Sequence, residues 1–281
     1  MAEDTLTDAP REREPETVHV LAPVSGSDSE AHRWARQLGL RVARTENAEA
    51  DGLHLVPTRE GLELWAGAQR RRGVARVDFS RRNDSGPGAA RQPLHRAVGQ
   101  RPVSVVDATA GFGDDAIALA GFGHHVLALE QCVPVAAMLE EARQRALAHP
   151  LTAATAERLR VECTDACLAL PRLDPAPDVV YLDPMYSEVG RKTSPLPRIE
   201  IQLLRRLLGT GSDPLPLFEA ALASGAGRIV VKRPIQAAPL IEPRADHHEG
   251  KLARYDVYDA AGLARHPPEA LTARRGPEKT P

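Results

Sequence analysis

From residue 102 to residue 234 the chain alternates short apolar, β-branched runs with turns and helix-length segments. Val103–Asp107, His125–Glu130, Leu159–Cys163, Asp178–Asp183 and Arg228–Lys232 are the runs. Near-continuous apolar, β-branched sequence in the runs ending at Asp107, Glu130 and Asp183 marks strands covered on both faces, as in a parallel sheet flanked by helices. Three of these runs stop at a carboxylate or a glycine turn. They are V-S-V-V-D-A-T-A-G-F-G (Val103 to Gly113), V-L-A-L-E ending at Glu130, and V-V-Y-L-D-P-M-Y ending in Asp183-Pro184-Met185-Tyr186. Ends of this kind face one pocket at the carboxyl edge of a doubly wound sheet, where ligands bind. The expected fold class is therefore α/β, a Rossmann-like, mostly parallel sheet with helices on both faces.

The intervening segments read as helices over 114–120, 133–148, 199–208 and 215–224, with a short one ending at Leu170. Arg254–Tyr258 (R-Y-D-V-Y) alternates like an antiparallel edge strand. Ahead of this domain, 17–80 predicts a small α+β module. It has a strand over 17–22, a helix from Asp28 to Leu38 stopped by Gly39, and strands over 53–57, 62–65 and 74–79. Residues 81–101 are rich in Gly, Pro and Arg and read as a connector, a candidate for a mobile or substrate-touching loop. The domain boundaries expected are 17–80, 81–101 and 102–262, with disordered tails over 1–16 and 263–281.

Lys+Arg 36 against Asp+Glu 38 leaves a net charge of -2, so no global basic field advertises nucleic acid. A nucleic-acid partner has to be engaged by local arginine clusters or by shape. The clusters are Arg70-Arg71-Arg72, Arg81-Arg82, Arg191-Lys192 and Arg205-Arg206, each by default a solvated face. Arg191-Lys192 is the best candidate for phosphate, because it lies just past Tyr186. Three cysteines lack disulfide or metal spacing, and Cys163 and Cys167 read as small buried apolar residues in a reducing compartment. There is no signal-peptide pattern and no apolar run near the ~20 residues that cross a bilayer, so a soluble, cytoplasmic protein is expected. His124-His125 and His247-His248 have no partner spacing for a metal and read as surface residues, and no metal is expected.

Asp107 ends the first strand of this domain, and Gly111 and Gly113 permit a tight turn and close backbone approach to a ligand. Asp114 and Asp115 open the following helix, where capping and ligand contact are equally good explanations. Glu130 stands where a carboxylate accepts hydrogen bonds from ribose hydroxyls. That suits any adenosine-containing cofactor and leaves NAD open. Asp183-Pro184-Met185-Tyr186 decides between them, because it resembles the D/N-P-P-Y/F motif of methyltransferases that act on exocyclic or amide nitrogens. A planar NH2 has a delocalised lone pair and is a poor nucleophile. A carboxylate and a backbone carbonyl that accept its hydrogens push electron density onto nitrogen and aim it. Proline stiffens the turn, and Tyr186 stacks on a flat base. The pocket reads as a site for S-adenosylmethionine. Asp165 lies where such enzymes place an acid near the adenine, and is otherwise a helix N-cap. Lys232-Arg233-Pro234, after the fifth strand, either faces RNA phosphate or ends the strand.

V-V-D-A-T-A-G-F-G-x-D, V-V-Y-L-D-P-M-Y and V-V-K-R-P together resemble the RsmJ-type 16S rRNA (guanine-N2)-methyltransferase family, over about residues 17–259. The resemblance implies a class I methyltransferase domain that uses S-adenosylmethionine to methylate N2 of a guanosine in 16S rRNA, naked or in the small ribosomal subunit. It implies cofactor contact at Asp114, Asp115, Glu130, Gln131, Asp165, Ala166 and Asp183, with Asp183, Pro184 and Tyr186 at the amine. The chain departs from the family pattern at Asp114, where a basic residue is usual. It departs also at Thr164-Asp165-Ala166, in place of a serine-containing turn, and in S-E-V-G-R-K after Tyr186. Guanine N2 lies in the minor groove of a paired helix, so the target must be unpaired or flipped. Rival readings are methylation of another planar nitrogen (a protein glutamine or a DNA base), cofactor or RNA binding without catalysis, and, more distantly, nicotinamide-dependent oxidoreduction.

Overall fold

The computed structural model describes residues 17–22, 28–46, 48, 52–67, 73–79, 91–101, 103–185, 199–209, 213–266, 268 and 271. The leading part is a five-stranded sheet built from β1 (Val18–Ala22), β2 (Val42–Arg44), β3 (Leu53–Thr58), β4 (Gly61–Ala66) and β5 (Val74–Arg76), in the order β2-β1-β3-β4-β5. β1 pairs parallel with β2 and β3, and β4 pairs antiparallel with β3 and β5. Helix α1 (Asp28–Leu38) connects β1 to β2 and ends at Gly39, whose φ of 66° is the left-handed stop the sequence signals.

The second sheet holds seven strands among the described residues, in the order β11-β12-β10-β9-β6-β7-β8. β6 (Ser104–Asp107), β7 (His125–Glu130), β8 (Leu159–Cys163), β9 (Val179–Leu182) and β10 (Arg228–Pro234) run parallel. β12 (Ala253–Asp259) is antiparallel to β10 and to β11 (Asp246–Glu249). Helices α3 (Asp114–Gly121), α4 (Val133–Leu147), α5 (Ala153–Ala156), α6 (Ala166–Ala169), α7 (Ile199–Leu208) and α8 (Leu215–Ala223) fill the connections. The order reverses between β6 and β9, which opens the crevice at their carboxyl ends.

Successive residues of the central strands point to opposite faces, and both faces are covered. Val105, Tyr181 and Val230 pack into one apolar cluster, whereas Val106, Val180, Leu182 and Val231 pack into the other with Phe218 and Leu170. The first cluster also contains Leu53, Leu55, Leu64 and Phe79 of the leading sheet, together with Met138 and Leu139 of α4. The small sheet thus shares its core with the main domain. Arg145 of α4 donates to the Val77 carbonyl, and Glu141 accepts the Leu62 N–H.

Several sequence expectations need correcting. Residues 93–98, within the expected connector, form helix α2, with Pro93 in its first turn and Leu94, Ala97 and Val98 buried. One apolar turn was hidden by its Gly/Pro/Arg-rich surroundings. β12 is internal rather than an edge; the true edge, β11, reads D-H-H-E, and an exposed edge has no apolar signature. The expected tail from 263 begins inside α9 (Ala260–Arg265), and Leu263 and Leu271 are buried in the second cluster. Cys163 is exposed and Cys167 half-buried, while His124 is fully buried against His95. Residues 1–16 and 272–281 lie outside the described residues.

Candidate active site

The turn after β6 is stitched to the strands on both sides. The Ala108 N–H donates to the Tyr181 carbonyl on β9, and the Ala110 N–H to the Leu129 carbonyl on β7. Asp107 Oδ1 accepts the Thr109 N–H at 3.1 Å, and Thr109 Oγ1 accepts the Asp183 N–H at 2.7 Å. Glu130, 5% exposed, closes the other side. Its Oε2 accepts the Gly111 N–H at 2.8 Å and its Oε1 the Cys132 N–H at 2.7 Å. Burial raises its pKa, opposed by these backbone donors. Gly113, at φ 78°, is the N-cap of α3, and a Cβ there would lie 2.5 Å from Leu139 Cδ2. Only glycine suits that backbone in that space.

Asp114 and Asp115 therefore follow the cap rather than serving as it, and both sit in the first helical turn, where the helix dipole favours negative charge. Asp115 Oδ2 accepts the Tyr181 hydroxyl at 2.7 Å and the Lys232 ammonium at 2.7 Å. Lys232 Nζ also donates to Asp183 Oδ2 at 2.9 Å. Lys232 was read from sequence as a phosphate contact or a strand end, and it instead joins the two acids. Burial works against its charge, but Asp183 and Asp115 outweigh that cost and hold the ammonium protonated. Asp183 is raised by burial and pulled back by Lys232, and its side chain remains 37% exposed. Burial, opposed by the Thr109 N–H and reinforced by Asp115 and Asp183, pushes Asp107 up to about 8. The Tyr181 hydroxyl is likewise raised by burial and by Asp115.

These groups line a cleft of about 1750 Å³. Asp107, Gly111, Asp114, Asp115, Glu130, Gln131, Asp165, Ala166, Asp183 and Pro184 all border it, whereas Gly113, the N-cap of α3 against Leu139, is not among the lining residues. Asp165 has both properties expected of it: it borders the cleft, and it caps α6 by accepting the Cys167 N–H at 2.8 Å. Tyr186, Arg191 and Lys192 lie outside the described residues. Arg233, near the end of β10, borders the cleft and donates to the Ala238 carbonyl in the segment that follows. Sequence reasoning did not place two walls, Leu204 and Arg205 from α7, with Arg205 read only as a basic surface cluster, and Glu63 and Arg76 from the leading sheet with Phe79 just past it. It missed also the Lys232–Asp115–Tyr181 network. Its one signal was a lysine ending a buried strand at the edge where the neighbouring strands end in acids.

A vicinal diol and a cationic centre are what this donor set accommodates. Glu130 offers buried carboxylate oxygens beside the glycine turn, and Asp115 and Asp183 share one ammonium close to the buried Asp107. Asp107 in particular is a carboxyl held neutral by its surroundings, which an arriving cation would help to ionise.

Comparison with known proteins agrees. The family model described as "Putative SAM-dependent methyltransferase" matches residues 33–260. The protein named Ribosomal RNA small subunit methyltransferase J from Chromohalobacter salexigens is 41% identical over 240 residues, covering 79% of this chain and 92% of its own. Its namesake from Pseudomonas aeruginosa (strain LESB58) is 37% identical over 259 residues, covering 88% and 97%. The crystal structure of a SAM-dependent methyltransferase from Neisseria gonorrhoeae matches with a TM-score of 0.64 at 28% identity, covering 88% of this chain and 97% of that one. The chain belongs to the SAM-dependent methyltransferase family, and S-adenosylmethionine is its cofactor.

Proposed function

We propose that this protein methylates the exocyclic N2 of a guanosine in 16S rRNA. The relatives named Ribosomal RNA small subunit methyltransferase J support the substrate class, and the Asp183-Pro184-Met185-Tyr186 motif supports an amine acceptor. The observation that carries the reading is Asp183 itself. It follows β9 at the cleft floor, is anchored through its own N–H, and has one carboxylate oxygen occupied by Lys232. S-adenosylmethionine supplies an electrophilic methyl group on a sulfonium sulfur, which takes the bonding electrons and leaves as a neutral thioether. Glu130 and Gln131 hold the ribose side; Asp165 and Ala166 border the adenine. Asp107, with Asp114 and the Gly111 turn, holds the amino-acid end. Asp183 accepts one amine hydrogen, and as the nitrogen–carbon bond forms it takes that proton and passes it to water at its exposed edge. Pro184 fixes the backbone carbonyl that accepts the second hydrogen, and Tyr186 stacks on the base. An rRNA substrate accords with a cytoplasmic protein. Among the described residues, no helix is long and apolar enough to cross a membrane.

The test is transfer of labelled methyl from S-adenosylmethionine to unmodified small subunits and to naked 16S rRNA, followed by nucleoside analysis. Labelled N2-methylguanosine is the expected product. Label on protein or DNA instead, or cofactor binding without transfer, would overturn the substrate assignment.

A further inference from the structure

We propose that Lys232 is a positioning residue for amine methylation. By bridging Asp115 and Asp183 it takes up one oxygen of Asp183 and leaves the other, Oδ1, for the substrate amine. The inference rests on the amine-methylation reading and goes beyond the four-residue motif.

The geometry is that of a braced carboxylate. Lys232 Nζ stands 2.7 Å from Asp115 Oδ2 and 2.9 Å from Asp183 Oδ2, and the Tyr181 hydroxyl holds Asp115 from the far side at 2.7 Å. The Asp183 backbone is tied to Thr109 Oγ1, so both its main chain and one carboxylate oxygen are fixed. Among the described residues nothing donates to Asp183 Oδ1, on a side chain 37% exposed toward the cleft. The lysine is fixed as firmly as its partners. Lys232 pairs with Tyr255 on β12, and its neighbour Val231 pairs with Leu182, the residue before Asp183. Just beyond β10, the buried Arg254 donates to the Ile235 and Ala237 carbonyls and is itself paired with Asp256, pinning the chain that leaves the strand.

Two consequences follow. A carboxylate with both oxygens free can rotate, whereas this one presents a single acceptor in a single direction, and orientation is what a delocalised amine lone pair needs. The second concerns charge. Among the described residues, the titratable groups facing Asp183 and Lys232 include Asp107 from β6, Asp115 from α3, Tyr181 from β9 and Tyr255 from β12. Burial, reinforced by Asp115, pushes Asp183 toward its protonated form, which accepts poorly, and Lys232 opposes the push. The ammonium keeps its own proton throughout. When the nitrogen–carbon bond forms, the amine proton goes to Asp183 Oδ1 and then to water.

The experiment compares wild type, Lys232→Met, Lys232→Gln and Lys232→Arg in methyl transfer across pH, with S-adenosylmethionine affinity measured by calorimetry. The methionine variant should lose about 100-fold in kcat, the size of effect that misplacement of a reacting group produces. Its KM for RNA and its cofactor affinity should stay within a few-fold. The acid limb of its kcat profile should move to higher pH, because Asp183 has lost the charge that keeps it ionised. The glutamine variant retains a donor and no charge, so its limb should move likewise; should the methionine variant not fold, this limb decides. Arginine should bring the limb back and recover much of the rate. A kcat within twofold of wild type, or a lower kcat with the limb unmoved, overturns the proposal and leaves Lys232 a structural ion pair. An inactive wild type would instead sink the amine-methylation reading, a distinct result.

Discussion

Glu130 is the residue at which cofactor binding and folding are hardest to separate. Both its oxygens accept backbone N–H groups, from Gly111 at 2.8 Å and Cys132 at 2.7 Å, and the residue is 5% exposed. Glu130→Gln keeps one acceptor and turns an NH2 toward the other donor. The loss is one charge-assisted hydrogen bond, worth about 1.5–3 kcal/mol, with part of the further 1–3 kcal/mol of a buried donor left unmatched. A net destabilisation of about 3 kcal/mol is expected. At roughly 2–4 °C per kcal/mol for a chain of this size, the melting temperature should fall by about 6–12 °C. Urea unfolding should show a lower midpoint at unchanged slope, since the surface exposed on unfolding is the same. Calorimetry should show weakened S-adenosylmethionine binding as well, because the same oxygens are the ones proposed to hold the ribose. If the variant melted with wild type while its cofactor affinity collapsed, the carboxylate would be serving the ligand alone and the reasoning would be refuted.

Three other substitutions test neighbouring parts of the site. Gly113→Ala puts a Cβ 2.5 Å from Leu139 at a φ of 78°. The left-handed backbone costs about 1–2 kcal/mol and overpacking about 1–3 kcal/mol more, so a denaturation midpoint within error of wild type would contradict this account of the turn. Asp107 keeps its proton in the folded chain up to about 8, while the unfolded chain releases it near its ordinary value of 3.8. The folded state binds more protons across that window, so stability is lost as pH rises through it, by about 1.4 kcal/mol per pH unit. Asp107→Asn cannot ionise, so its melting temperature should gain on wild type steadily from pH 5 to pH 8; parallel curves would count against the assignment. Asp183→Ala should reduce kcat by about 100-fold or more with little change in melting temperature, since Lys232 retains Asp115. Near-full activity in that variant would remove Asp183 from the reaction.

What the sequence displayed plainly was the part whose signal is local. Parallel strands buried on both faces have to be apolar throughout, so β6, β7, β9 and β10 stood out, and with them the acids and glycines at their ends. Elements stabilised by remote partners did not. The α2 turn is held by packing on β10, β11 and β12 and by His95 stacking on Phe122, β11 by its hydrogen bonds to β12, and His124 is buried because α2 covers it. Lys232 failed to declare itself for a related reason. A lysine at a strand end is ordinary in one dimension, and its meaning comes from acids 117 and 49 residues away in sequence. The two-way placement of Asp165, as helix cap and cleft residue, shows why the two readings are not separable from sequence: at the start of a helix one carboxylate can cap and still border the cleft.

The charge pattern of the cleft bears on how an enzyme with a net charge of -2 would handle the RNA substrate proposed for it. Among the described residues, Lys232 at the floor is already engaged by Asp115 and Asp183, and the other cations bordering the cleft are Arg76, Arg205 and Arg233. A phosphodiester brought to the floor would meet carboxylates with no ammonium to spare, whereas a cationic cofactor and an uncharged base meet acceptors. At physiological ionic strength the repulsion fades over about 8 Å, so it acts at the floor and spares the RNA outside the mouth. An RNA strand can therefore satisfy this site only by extending a base away from its backbone into the cleft, as flipped or single-stranded nucleotides do. The acidic floor is thus a filter on conformation: a guanine still stacked in a duplex would have to bring its phosphates along. On the proposed function, the same carboxylates that would admit a sulfonium donor would favour an unpaired acceptor, so one set of acids would bear on both sides of the reaction.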